Sequence, residues 1–490
     1  MRVATNAFWL SVCRILADAL SFALFAAIGR AFGPAGAGEY SYALALATLL
    51  MFLCSGGLEE YAVPHYTRAA PADRPRVWRQ ILSAQVVQLG MMAALFGLFL
   101  VARRNLEARV SVILALAAFF VAWGIARVLF IPATASQAMV RPAFTELACR
   151  VAAIVVALGA GLLTSPPLPV MLVGFPLAGL LLLWLAARNA GRHGARFPRI
   201  HPASALVTLR QSAPFAGSSF LNQFYARVDL LVIAALIGSE PVGLYATDLK
   251  VLEVGLLPVV LLGTAAYPLL SRLAGTHHGE FSQAARDLVR TSFLLSGWLA
   301  VAMCALIPLL VVPSLGEEFG PAVAYLPWFA ALAIMKSAEV ALFRLLYALQ
   351  RQMKYLVSLL AGTATTITLN LALIPTLGLT GAVLAGICSV ILVAAICAWH
   401  LREHLPIRAL ASLVLRLAVA LGLTASVFFG ARELGITPWA NAVLACVAFP
   451  FAAFCVGLVL NPAASRLFRF DEHLRPAGRQ PMELPARARQ

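Results

Sequence analysis

The sequence predicts an all-α polytopic membrane protein of about 14 transmembrane helices, two six-helix lobes around a central cavity plus two extra C-terminal helices. Three observations lead there. Hydrophobic residues make up 61% of the 490 and charged residues 12%, with a mean hydropathy of +0.88, which is more apolar surface than a soluble fold of this length can hide. Charge-free stretches recur at 40–58, 81–102 and 291–316, and about 20 apolar residues suffice for one crossing. A short glycine motif at the end of the first crossing returns at the matching place in the second half.

Taken in order, the spans are 8–31, 38–61, 81–102, 110–131, 143–163, 169–187, 213–237, 242–266, 291–313, 325–349, 355–375, 379–400, 411–431 and 438–460. Residues 1–10 hold one Arg, and no small-residue cleavage site follows a short apolar core, so span 1 is expected to be a retained helix rather than a signal peptide. From 355 to 401 there is no Asp, Glu, Lys or Arg, and the only break is at 375–378, which reads as two spans and a tight turn. Period-2 alternation is absent, which excludes a barrel. The expected organisation is an N-terminal lobe (1–187), a basic cytoplasmic linker (188–212), a C-terminal lobe (213–405), extra helices 13 and 14 (406–460) and a basic tail (461–490).

A net charge of +16 and a pI near 10.1 would suggest nucleic acid for a soluble protein. Here the charge falls on loops. With the N-terminus inside, cytoplasmic segments hold 24 of the 37 Lys and Arg, so both termini are expected in the cytoplasm and no nucleic-acid partner is expected. Arg103, Arg104 and Arg109 run against this bias, which leaves the region of span 4 as the weak point of the topology. The eight cysteines lie in or beside apolar spans with no C-x-x-C pair, as packing residues rather than metal ligands or disulfides.

Internal similarity comes from G-x4-G-x-Y, present as Gly33 to Tyr40 and again, 205 residues later, as Gly238 to Tyr245. The following span closes with Pro64 and Arg68 in one copy and Pro268 and Arg272 in the other. Six spans separate the copies, so they share an orientation and would be related by an axis along the membrane normal.

Charges inside spans are the candidate site residues, because a charge near the bilayer centre costs about 2.5–3.5 kcal/mol and persists where it faces protein or water. They fall on spans 1, 4 and 5 of one half and 7, 8 and 10 of the other: Arg14 and Asp18, Arg127, Glu146 and Arg150, then Arg227 and Asp229, Asp248, Lys250 and Glu253, and Lys336, Glu339 and Arg344. Turned toward one cleft, they would line a hydrated cavity with a slight basic excess, suited to an anion that Arg binds bidentately. A structural alternative is pairing within each helix, for which Arg14–Asp18, Glu146–Arg150, Lys250–Glu253 and Lys336–Glu339 are correctly spaced. Arg227 and Asp229 point apart on a helix, so each needs a partner elsewhere. Arg127 and Arg344 lie near span ends and can snorkel. Asn222 and Asn370 either line the cavity or join helices by hydrogen bonds.

No cofactor or metal motif is present, and the glycine run at 33–38 has the wrong order for a nucleotide fingerprint. No Walker-type loop and no room for an ATPase domain are found, and the longest outside loop has about eleven residues (314–324), little for a polymerase or glycosyltransferase site.

Several stretches, taken together, resemble a known family: Arg30 to Tyr40, Arg227-Val-Asp229 followed by Gly238 and Gly243-Leu-Tyr245, Gly316 to Gly320, and Asn370 with Leu373-Ile-Pro375, Gly378 and Gly381-Ala382. Over roughly residues 5–400 they resemble the polysaccharide-exporter (O-antigen flippase) branch of the multidrug/oligosaccharidyl-lipid/polysaccharide flippase superfamily. The resemblance implies an alternating-access transporter, not an enzyme, in the bacterial cytoplasmic membrane. Its substrate would be an undecaprenyl-diphosphate-linked oligosaccharide for O-antigen or exopolysaccharide, carried to the periplasmic leaflet. Membrane lipids, a polysaccharide polymerase and a chain-length regulator are the partners it implies. Under it, Arg14, Arg227, Lys250, Lys336, Arg344 and Asn222 are expected on the diphosphate and sugar path, with Asp18, Asp229, Glu253 and Glu339 as candidate ion-coupling carboxylates. A cation-coupled multidrug exporter, a lipid II flippase and a membrane glycan polymerase or transferase stay open as alternatives. The drug exporter predicts an acidic rather than a basic cavity.

Overall fold

In hydrocarbon each backbone N–H and C=O has to be satisfied inside its own segment, so apolar stretches of this length fold as helices. The computed structural model describes residues 2–55, 57–102, 107–136, 138–164, 166–193, 202–274 and 278–458, all helix and connecting turns. The first group runs α1 (Arg2–Ser55), α2 (Leu58–Arg68), α3 (Arg74–Ala102), α4 (Glu107–Leu129), the single turn α5 (Ile131–Ala135), α6 (Val140–Thr164), the single turn α7 (Leu168–Met171) and α8 (Gly174–Arg192). The second runs α9 (Pro202–Leu236), α10 (Ser239–Leu273), α11 (His278–Ala305), α12 (Ile307–Leu315), a 3-10 segment (Glu317–Tyr325), α13 (Leu326–Ala348), α14 (Gln352–Leu377) and α15 (Leu379–His400). A hairpin of α16 (Ile407–Glu433) and α17 (Pro438–Cys455) follows.

At 54 residues α1 is far too long for one crossing. Gly33, with φ 65 and ψ −170, breaks it into two. The backbone does the same at the second copy of the motif, where Gly238 has φ 100 and ψ −172 just before α10. Both conformations favour glycine, which lacks the Cβ that crowds positive φ. Twelve helical stretches among the described residues are long and apolar enough to cross a membrane, the first of them being this broken pair. The 23-residue α13, which carries three charges, is a further helix of crossing length; with the broken pair counted as two, that makes fourteen candidate crossings among the described residues.

Within the first group α1 packs on α4 and α6, and α8 on α4 and α6; within the second α14 pairs with α15 and α9, and α13 with α10, α11 and α15. The groups meet where α1 packs on α10 and α9, and where α3 packs on α9. Most of α13 is buried, so the helix that carries Lys336, Glu339 and Arg344 turns them toward protein rather than lipid.

The α16–α17 hairpin docks on α11. Gly297 leaves the seat: a Cβ there would lie 2.4 Å from Phe449 Cζ and 2.7 Å from Leu417 Cδ1. Polar contacts fasten the same edge, with Trp298 Nε1 donating to the Cys446 carbonyl at 3.1 Å and Arg290 Nε to the Leu458 carbonyl at 2.7 Å. The outer face of the hairpin stays apolar, with Leu415, Val447 and Phe451 exposed as a lipid-facing surface. All eight cysteines are free thiols.

Helix bounds differ from the sequence expectation at 267–290, where α10 runs on to Leu273 and α11 starts at His278, and around 188–212. There α8 runs on through Arg188 and Arg192, and α9 starts at Pro202. Arg and Lys sustain a helix as well as most residues, so charge ends the membrane crossing without ending the helix. The stretch 194–201 and the tail from 459 lie outside the described residues.

Candidate functional site

The site lies where the two groups of helices face one another, between two close contacts. One contact is built from the repeated motif. A Cβ on Gly38 would lie 1.8 Å from the Ser239 carbonyl oxygen and 2.9 Å from the Gly243 nitrogen, and a Cβ on Gly243 would lie 1.9 Å from the Pro34 carbonyl oxygen and 3.1 Å from the Gly38 nitrogen. The contact is reciprocal, as a two-fold relation between the copies requires. Past the other end of α1, the α1–α2 junction and α2 meet α9: a Cβ on Gly57 would lie 2.3 Å from the Ala216 nitrogen, the Tyr61 hydroxyl donates to Gln211 Oε1, and Ser219 Oγ donates to Glu60 Oε1 at 3.4 Å.

Between these ends α9 and α10 place a three-membered ionic cluster. Arg227 Nη1 stands 2.8 Å from Glu253 Oε1, and Lys250 Nζ stands 3.0 Å from Glu253 Oε2. Two cations share one carboxylate, so the cluster keeps a net charge of +1. Its side chains retain partial exposure, 18% for Arg227, 15% for Lys250 and 36% for Glu253. By a rise of 1.5 Å per residue, Lys250 lies about 10 Å along α10 from Gly243, and Arg227 about 18 Å along α9 from Phe215.

The opposite face of α9 serves a second, more enclosed cluster. Asp229 Oδ1 accepts from Asn370 Nδ2 of α14 at 2.7 Å, and Asp229 Oδ2 accepts from the Tyr245 hydroxyl of α10 at 3.0 Å. On α13 Lys336 Nζ stands 3.2 Å from Glu339 Oε2 and 4.4 Å from the centroid of the Tyr225 ring. The Tyr355 hydroxyl donates to Glu339 Oε1 at 3.4 Å. Two carboxylates and one ammonium give a net charge of −1. Asn370 Oδ1 and, one turn earlier on α14, Thr366 Oγ1 are buried without a hydrogen-bond partner. Carboxylate, amide and hydroxyl oxygens are the ligand types that small hard cations take. Among the described residues no group of three or more His, Cys, Asp or Glu is placed to hold a metal ion.

The remaining site expectations scatter. Arg344 Nη2 donates to Thr264 Oγ1 at 3.1 Å, and its guanidinium lies 5.0 Å from the Phe343 ring centroid, where Gly263 leaves room for its stem. Asn222 is exposed on α9, and Asp18 is half-buried on α1. The Arg14 side chain lies outside the described residues. In the first group Arg127 does not merely snorkel: its Nη2 lies 2.6 Å from Glu59 Oε2 of α2, and it covers the Phe52 ring at 5.7 Å. Arg150 Nη2 reaches Ser21 Oγ of α1 at 2.7 Å. Sequence reasoning missed the tyrosines 225, 245 and 355. Tyr245 carried a signal as the last residue of the repeat motif, while Tyr225 and Tyr355 carried none.

Asp248, one turn beyond Tyr245 on α10, makes no hydrogen bond to either cluster. It is 0% exposed, and neither carboxylate oxygen has a hydrogen-bond partner.

A family model described as a polysaccharide biosynthesis protein matches residues 3–274, more than half of the chain. No curated protein matches it significantly. Among solved structures it is similar to the lipid II flippase MurJ in an inward closed conformation, with TM-score 0.70 and 12% identity over 91% of this chain and 98% of that one. It is similar to a multidrug resistance MATE family transporter of the MOP superfamily in an inward-facing conformation, with TM-score 0.60 and 11% identity over 81% and 95%. A third is a multidrug resistance MATE family transporter of the same superfamily in an outward-facing conformation, with TM-score 0.55 and 14% identity over 83% and 96%.

Proposed function

Since the chain belongs to the polysaccharide biosynthesis protein family and has the fold of the multidrug/oligosaccharidyl-lipid/polysaccharide flippases, we propose that it flips an undecaprenyl-diphosphate-linked oligosaccharide, an O-antigen or exopolysaccharide repeat unit. It works in the bacterial inner membrane with both termini in the cytoplasm, and carries its substrate from the cytoplasmic to the periplasmic leaflet by alternating access. The observation that carries this reading is the Arg227–Glu253–Lys250 cluster. It holds one more cation than anion inside the membrane, partly exposed and between two contacts of the lobes. A diphosphate offers the oxygens that Arg and Lys bind, and a prenyl tail can stay in lipid meanwhile.

The two contacts supply the gates that alternating access needs, one at Gly38 and Gly243 and one at Gly57 with Phe215 and Ala216. Asp229, in a cluster of opposite net charge on the other face of α9, takes the part of the ion-coupling carboxylate. Lys336 and Glu339 belong to that ion side rather than to the diphosphate path. A drug exporter for cationic compounds would need the exposed cluster to be acidic, and it is basic.

Lipid II is the second substrate to weigh. The MurJ comparison takes in about a tenth more of the chain than the MATE comparisons, the size of the α16–α17 hairpin. Both substrates carry a prenyl diphosphate, so for this site they differ in what the diphosphate bears rather than in the diphosphate itself. Transport in inverted membrane vesicles tests the reading with each glycolipid. The expected result is uptake of the repeat-unit lipid by wild type and at least a tenfold loss in Arg227→Ala and Lys250→Ala variants present at normal levels. Equal transport by those variants would falsify the site, and uptake of lipid II alone would replace the substrate.

A further inference from the structure

On the face of the bundle where α1 begins, a cavity of about 350 Å³ opens between the start of α6 and the end of α8. Arg141, Arg188 and Arg192 line it, with Asn189, Phe144 and Leu185. Arg188 and Arg192 are one turn apart on α8, so their side chains share a face, and Arg141 comes from the first turn of α6. None of the three has an ion pair with a carboxylate among the described residues. Three unneutralised guanidinium groups around one cavity call for an anion.

The other walls narrow its chemistry. Asn189 is 7% exposed, and its Oδ1 is buried without a donor, so the occupant should bring a hydrogen-bond donor as well as negative charge, and a hydroxyl does so without adding a cation to three guanidinium groups. Phe144 is 43% exposed and Trp184 57%. The Arg188 guanidinium lies 5.4 Å from the Trp184 ring centroid, and the Trp9 ring of α1 packs against Phe144 with centroids 5.5 Å apart. Exposed Trp beside Arg at helix ends marks the level of lipid headgroups, and apolar Phe144 and Leu185 suit the start of an acyl chain. Basic pockets between transmembrane helices at this depth hold phosphate headgroups.

We propose that this cavity binds the phosphodiester headgroup of an anionic, hydroxyl-bearing bilayer lipid of the phosphatidylglycerol kind. The guanidinium groups hold the phosphate oxygens, Asn189 Oδ1 accepts from a glycerol hydroxyl, and the acyl chains run along Phe144 and Leu185. The proposal does not rest on the flippase reading, because the cavity lies at the outer edge of the first group, away from the Arg227 cluster.

The test is thermal stabilisation and native mass spectrometry of the purified full chain in detergent, with dioleoyl phosphatidylglycerol added. Dioleoyl phosphatidylcholine, inorganic phosphate and undecaprenyl diphosphate are the comparison arms. Phosphatidylglycerol is expected to stabilise the wild type and to stay bound in the gas phase, while phosphatidylcholine and phosphate do neither. Each charge-assisted hydrogen bond lost should weaken binding by about tenfold, so Arg188→Gln with Arg192→Gln should weaken it about a hundredfold. The Arg188→Lys, Arg192→Lys variant keeps the charge without the fork and should fall between, which separates lost binding from lost folding. Equal binding of phosphatidylglycerol by the glutamine variant, or equal stabilisation by phosphatidylcholine, overturns the proposal. Tighter, arginine-dependent binding of undecaprenyl diphosphate overturns it too, by giving the cavity to the transported lipid.

Discussion

Arg227 and Asp229 stand two residues apart on α9 and serve different clusters: the guanidinium reaches Glu253 of α10 at 2.8 Å, and the carboxylate accepts from Asn370 of α14 at 2.7 Å. One helix thus separates a site of net positive charge from one of net negative charge. A shift of α9 would move both at once, which gives the proposed coupling of a cation to an anionic cargo a mechanical link.

Glu253 is the member whose loss should hurt folding most. Removing it leaves Arg227 and Lys250 facing each other with no counter-charge. A fully buried pair costs about 3–5 kcal/mol to break this way, and the partial exposure here brings the expectation to about 1–3 kcal/mol. Thermal unfolding of Glu253→Ala in detergent measures it. Adding Arg227→Ala should restore part of the loss, and strict additivity of the two substitutions would show that the groups do not interact.

Asp229→Asn should separate coupling from binding. The neutral amide keeps the shape but cannot hold a cation by charge. Transport in vesicles should lose its dependence on an imposed sodium or proton gradient, while the affinity for the glycolipid changes less than threefold. A variant that still responds to the gradient as wild type does would move the coupling role elsewhere.

Asp248→Leu should raise stability. The carboxyl group is buried with both oxygens unpartnered, and a buried polar group in that condition costs about 1–3 kcal/mol. A higher melting temperature is expected. A lower one would reveal a ligand or proton donor bound to Asp248 in solution.

Gly38→Ala should open the bundle at the motif end. The new methyl would meet the Ser239 carbonyl oxygen at 1.8 Å, and a carbonyl within a helix cannot swing away. Labelling of a Ser239→Cys reporter with a membrane-impermeant maleimide should speed up in the Gly38→Ala background. Gly243→Ala should act the same way on an Ala37→Cys reporter, since the contact is reciprocal.

Much of this fold was legible from composition, because hydrocarbon leaves a chain no cheap alternative to the helix. The breaks at Gly33 and Gly378 stood out for the same reason, being the few positions where an apolar stretch stops. Pairs along one helix were legible too: Lys250 with Glu253 and Lys336 with Glu339 meet as their spacing requires. Partners across helices were not. That Arg227 and Asp229 each needed one followed from their two-residue spacing, but nothing along the chain pointed to Glu253 or Asn370. Arg127 looked like a snorkelling residue because Glu59, on a different helix, sits at the rim of its span. Arg344 found a hydroxyl on α10 for the same reason.

The seam at Gly38 and Gly243 is main chain against main chain at its closest approach. Interlocked knobs and holes must be unpicked one by one, each leaving a void that resists separation. Where glycine meets glycine there is no large side chain to withdraw when the joint parts. Two bodies joined that way can rock open and shut many times without repacking anything inside either of them.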